Sequence, residues 1–125
     1  TPRRTALVVE DNATNRQLLS AYLEEAGWAV LQAECSAHAL ALLDKTDTDP
    51  DAVLLDLHMP GLSGEDLLIH LHDVYPHMPV IIVTADVTSG TAQRMRERGA
   101  ADCLSKPLNL ELLGSRLDQL TLTPA

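Results

Sequence analysis

Apolar and polar positions fall into two alternating rhythms along this chain: short runs of apolar residues, and longer stretches where apolar residues return every three or four positions. The short runs are Ala6 to Glu10, Ala29 to Ala33, Ala52 to Asp56, Pro79 to Thr84 and Asp102 to Ser105. They predict five strands. The Ala52 to Leu55 run holds no charge and Pro79 to Thr84 is the most apolar stretch, so both read as strands buried on two faces.

Between and after them come five helical patterns. Asp11-Asn12 opens the first, with Asn12 as its cap, Gly27 as its stop and Leu18, Leu19, Tyr22, Leu23 and Ala26 as its apolar face. The second runs from a capping Ser36 through Leu40 and Leu43 into the polar loop DKTDTDPD. Ser63 and Asp66 form a capping box for the third, which carries Leu67, Leu68, Leu71 and Val74 and is ended by Pro76 and Pro79. The fourth, Ser89 to Arg98, has Ala92 and Met95 as nearly its only apolar residues and Gly90 at its start, so it is expected to be the least stable element. The last carries Leu110, Leu113, Leu117 and Leu120, and its tail TLTPA is expected to fray.

Strand and helix in strict alternation predict an α/β fold with a parallel sheet. The 125 residues suit one domain. A net charge of -9, with Arg94, Arg96 and Arg98 scattered instead of forming a basic stripe, argues against a nucleic-acid surface. No apolar run approaches the ~18 residues of a membrane span, and TPRRTALVVED has no signal-peptide core, so a soluble chain is expected. Cys35 and Cys103, with no CxxC spacing, point to reduced thiols and a cytoplasmic setting.

The candidate chemistry centres on VLLDLHMPG, where an apolar run ends in Asp56 and breaks at Pro60-Gly61. Taken alone, Asp56 could simply open a turn. Yet open parallel sheets bind ligands outside the carboxyl ends of their strands, and those ends collect Glu10-Asp11, Asp56, Thr84 and Lys106. Three carboxylates in one crevice repel one another and call for a cation. Hard oxygen donors with room for water favour Mg²⁺ over Zn²⁺. Lys106 and the Thr84 hydroxyl offer what phosphoryl oxygens need, a point charge and a neutral donor.

The motifs VVED, LLDLHMPGLSG, VTA and GAADCLSKP resemble, in that order and over essentially the whole chain, those of two-component response-regulator receiver domains. The resemblance implies a flavodoxin-like, doubly wound (βα)5 sheet in the order 2-1-3-4-5. It implies that Asp56 accepts a phosphoryl group from a phosphohistidine. Asp11, Asp56 and the backbone carbonyl of His58 would hold Mg²⁺, with Glu10 acting mainly through water. Thr84 and Lys106 would bind the phosphoryl oxygens, with Pro107 a structural residue beside Lys106. His58 and Asp86 stand where the family tunes phosphoryl lifetime.

A finer resemblance lies in EDNATNRQLLSAYLEEAG, which is similar to receivers fused to hybrid sensor histidine kinases. On that reading residues 1-5 are the end of a linker, and the partner is a kinase dimerisation domain or a histidine phosphotransfer domain. A stand-alone response regulator is the alternative, and Asn15-Arg16 could equally be a solvated first turn. Two positions depart from the family pattern: Cys103 where Tyr or Phe is usual, and Leu108 where Phe is common. The output half of the switch is therefore expected to differ.

Two other classes compete. A haloacid-dehalogenase-type phosphatase also uses a strand-end Asp with Mg²⁺, but it needs a second Asp two residues on, where this chain has His58. A degenerate receiver acting only as a binding module would usually lack an acid or the Lys, and all are present. His38, His58, His70, His72 and His77 read as surface residues, since His70 and His72 face apart on a helix.

Overall fold

Strands and helices alternate along the chain in the computed structural model, which describes residues 4–45, 50–57, 64–84, 89–105 and 109–121. In chain order they are β1 (Thr5–Val9), α1 (Ala13–Glu25), β2 (Ala29–Ala33), α2 (Ser36–Lys45), β3 (Ala52–Asp56), α3 (Gly64–Val74), β4 (Val80–Thr84), α4 (Ser89–Glu97), β5 (Asp102–Ser105) and α5 (Leu110–Thr121). All neighbouring strands pair in parallel, in the order β2-β1-β3-β4-β5. This is the flavodoxin-like order expected from the resemblance. No helix among the described residues is long and apolar enough to cross a membrane.

The side-chain period of two divides each strand between two cores. Leu7, Val9, Val53, Leu55, Val80, Ile82 and Cys103 face α2, α3 and α4, where they meet Leu43, Leu67, Leu68, Leu71 and Met95. Ala6, Val8, Ala52, Leu54, Ile81 and Leu104 face α1 and α5, where Leu19, Leu23, Leu113 and Leu117 cover them. Both β3 and β4 are buried along their whole length, as their uncharged runs predicted. Trp28, just ahead of β2, is buried in the second core with the Arg4 guanidinium 4.3 Å from its ring centroid.

Several expectations need correction. Leu18 is 57% exposed, because Leu19 and Leu23, four residues apart, take the sheet-facing stripe and leave Leu18 about 100° round the helix. Ala26 is the exposed C-cap of α1. Val74 is half exposed, and Tyr75, four residues after Leu71, packs on the core instead. Ser36 is the first residue of α2 instead of its cap, since the Cys35 carbonyl accepts the Ala39 amide at 3.0 Å. β1 runs from Thr5, one residue earlier than expected, and Glu10 follows it with its amide still donating to Ala33. Ser63, expected to cap α3, lies outside the described residues.

The fourth helix is held differently from its sequence pattern. Met95 is fully buried and Ala92 half-buried against the core, as expected for a poorly apolar helix. Its arginines add what apolar contacts do not. Arg94 and Arg98 fork onto the two carboxylate oxygens of Glu65 in α3, at 3.3 and 3.2 Å. Arg96 reaches Asp102 of β5 at 3.4 Å, and that carboxylate also takes Arg116 of α5 at 3.2 Å.

Candidate functional site

Chain direction away from β1 reverses between β1 and β3: one crossover leads to β2 on one side, and the rest of the sheet builds on the other. Such a switch point opens a crevice at the carboxyl ends of the two strands. Val9 pairs with Leu55, so Glu10 and Asp56 follow as neighbours at that crevice. Asp11 starts the loop into α1. One carboxylate oxygen from each of Glu10, Asp11 and Asp56 lies within 4.8 Å of the other two. This is the one such group among the described residues.

Burial differs within the trio. Glu10 and Asp56 are 3% and 4% exposed, whereas Asp11 is open to solvent. The set therefore offers hard oxygen donors, one of them open to solvent, and is compatible with a divalent cation. Thr84 ends β4, one residue beyond Val83, the register partner of Asp56, and is fully buried. Glu10, Asp11, Asp56 and Thr84 thus come to one edge of the sheet. Lys106, Pro107, His58 and Asp86 lie outside the described residues.

The loop carrying the acids is fixed by short-range hydrogen bonds. Asn12 caps α1 as predicted, its Oδ1 accepting the Asn15 amide at 3.0 Å, and the Asn12 amide donates to Glu10 Oε1 at 3.4 Å. Arg16, half-buried on the first turn of α1, donates from Nη1 to the Glu10 carbonyl at 2.8 Å. It is therefore more than a solvated residue. The sequence signal was the six-residue interval from Glu10 across a capped turn, a spacing that alone names no partner.

Cys103 lies in the core under α4, paired in register with Ile82. Burial pushes its thiol above the usual range, the nearby Arg96 charge opposes the rise and the Asp102 carboxylate adds to it. Both cysteines are free. His38, His70, His72 and His77 are exposed, as expected.

The sequence profile of the response regulator receiver domain matches residues 6–118. The chain belongs to this family. As a receiver it is 38% identical over 107 residues to the sensory/regulatory protein RpfC of Xanthomonas campestris pv. campestris, an alignment covering 82% of this chain and 14% of RpfC. It is 36% identical over 111 residues to the sensor histidine kinase RcsC of Escherichia coli, covering 89% of this chain and 12% of RcsC. This receiver thus spans a small fraction of the length of these relatives. A solved receiver domain from Clostridium thermocellum superposes with a TM-score of 0.88 at 31% identity, covering 94% of each chain.

Proposed function

We propose that this receiver takes a phosphoryl group from a phosphohistidine onto Asp56, as one step of a two-component phosphorelay. The observation that carries the proposal is the convergence of Glu10, Asp11 and Asp56 within 4.8 Å at the switch point. An Asp56 carboxylate oxygen attacks phosphorus, the P–N bond breaks, and the electron pair leaves with the imidazole nitrogen. Asp11 and Asp56 would hold Mg²⁺ together with the His58 backbone carbonyl, and Glu10 would act through water. Bound there, Mg²⁺ supplies charge neutralisation for the acids and the phosphoryl oxygens. The Thr84 hydroxyl donates to one phosphoryl oxygen and the Lys106 ammonium pairs with another. Pro107, next to Lys106 in the sequence, is a structural residue, and His58 and Asp86, two residues beyond Asp56 and Thr84 in the sequence, tune how long the phosphoryl group persists.

The donor or acceptor is the helical dimerisation domain of a histidine kinase or a histidine phosphotransfer domain. Kinship with RcsC supports a receiver that forms a cytoplasmic part of a larger, membrane-anchored sensor kinase. The exposed Leu18, among the uncharged Thr14, Gln17 and Ala21, offers a partner helix an apolar contact on α1, the helix that follows Asp11.

Phosphotransfer from labelled histidine kinases and phosphotransfer domains tests the reading. Label should appear on the wild-type chain with Mg²⁺ and be absent both from Asp56→Asn and after chelation. Undiminished labelling of Asp56→Asn would overturn it.

A further inference from the structure

We propose that Arg16 is a positioning residue for the cation site, holding the Glu10–Asp11 peptide so that the Asp11 carboxylate stays aimed at Asp56. The inference rests on the Mg²⁺ site proposed above. It begins with the bond from Arg16 Nη1 to the Glu10 carbonyl, 2.8 Å long and partly buried. That carbonyl belongs to the peptide immediately ahead of Asp11. Without that bond the Glu10–Asp11 segment can shift as a whole, carrying the Asp11 carboxylate away from the other two acids.

Neighbouring bonds hold the loop on either side of that peptide. On the strand side, the Glu10 amide is fixed to the Ala33 carbonyl at 3.0 Å. On the helix side, the Asn12 carbonyl accepts the Arg16 amide at 2.9 Å, and Asn12 Oδ1 accepts the Asn15 amide. Arg16 is itself seated, because its carbonyl accepts the hydroxyl of buried Ser20 at 2.7 Å. Strand and helix are anchored on both sides of Asp11, and the guanidinium closes the span between them. A guanidinium suits this role because it stays charged and donates in a fixed plane.

Two consequences of Arg16 oppose each other, and this makes the proposal decidable. Its positive charge beside a cation site weakens metal binding by Coulomb repulsion, so loss of charge alone would tighten Mg²⁺. Its hold on the peptide strengthens binding by keeping Asp11 in place. Residues that orient metal ligands typically contribute 10–100-fold in affinity, more than one partly screened charge takes away.

The test is Mg²⁺ titration of the whole chain by calorimetry and by amide NMR shifts, on wild type, Arg16→Met, Arg16→Lys, Asp11→Asn and the Arg16→Met/Asp11→Asn pair. Arg16→Met should bind Mg²⁺ about tenfold more weakly, and Arg16→Lys should recover part of that loss. Asp11→Asn should cost less affinity in the Arg16→Met background than in wild type, a coupling that general loosening of α1 would not produce. Affinity unchanged or tighter in Arg16→Met, or equal Asp11→Asn losses in both backgrounds, would overturn the proposal. Should Arg16→Met not fold, Arg16→Lys binding Mg²⁺ like wild type while its Asp11 amide shift departs from the wild-type position would do the same. A wild-type chain with no Mg²⁺ binding would instead remove the site itself.

Discussion

Glu65 at the start of α3 meets Arg98 just beyond α4, Oε2 to Nε at 3.2 Å, while its other oxygen takes Arg94. The helix with the fewest apolar residues is thus clamped to its neighbour by a single acid. Both arginines are about half exposed, so each pair is worth at most about 1 kcal/mol and is screened by salt. Glu65→Gln should lower global stability by less than about 1 kcal/mol yet raise amide exchange selectively in α4. Raising salt should bring the wild type toward the mutant. Equal exchange in α4 for both proteins at low salt would show that Met95 alone secures the helix.

The turn that ends α4 gives a second prediction. Gly99 has φ +115°, and a Cβ there would lie 2.4 Å from the His72 ring. Gly99→Ala combines backbone strain with displacement of His72 and should cost on the order of 1–3 kcal/mol. Gly90, in the first turn of the same helix, has open space around it. Gly90→Ala should stabilise by up to ~1 kcal/mol through helix propensity. Denaturant melts of both variants check the pair, and a stabilised Gly99→Ala would contradict the packing of His72 on that turn.

These cases show where the sequence was legible. The uncharged runs of β3 and β4 and the leucine faces of α3 and α5 announced themselves, because burial on a fixed period leaves a one-dimensional trace. The acids of the site were legible for the same reason: each stands where an apolar run stops. The ion pairs of α4 were not, since Glu65 and Arg98 lie far apart in the chain and a surface arginine looks alike whether paired or free. Trp28 is a lone aromatic between helix and strand, with no period to announce its place in the core. Arg16 could be seen as part of a family-like motif, but its bond to the Glu10 carbonyl needs the loop's actual path.

The acid cluster makes a third prediction. With carboxylate oxygens of Glu10, Asp11 and Asp56 within 4.8 Å of one another, removing one charge relieves repulsion worth on the order of 1 kcal/mol. Asp56→Asn should therefore melt higher than wild type without Mg²⁺, and should gain less on its addition. A wild type whose melting ignores millimolar Mg²⁺ would sink the cation assignment.

The last prediction concerns Cys103, where receivers commonly carry an aromatic. The thiol lies in the same core cluster as Met95 and Ala100, and it lacks the size to move between buried and exposed positions as a ring does. Its raised pKa, chiefly from burial, means that folding favours the protonated thiol. The associated stability is fully present below about pH 9 and is lost as pH climbs through the higher folded value. Melting temperature should therefore fall more steeply above pH 9 in wild type than in Cys103→Ala, although the alanine variant melts lower at neutral pH for want of the sulfur's packing. Parallel curves for the two proteins would mean that the thiol is hydrated in solution. That outcome would also bear on what lies beneath α4 under the proposed phosphorylation of Asp56. Beryllofluoride, a phosphoryl mimic, answers it by NMR: with the thiol buried, shifts should stay with the acid crevice and α4. Large shifts through β5 and α5 would show that the small residue does not restrict the switch.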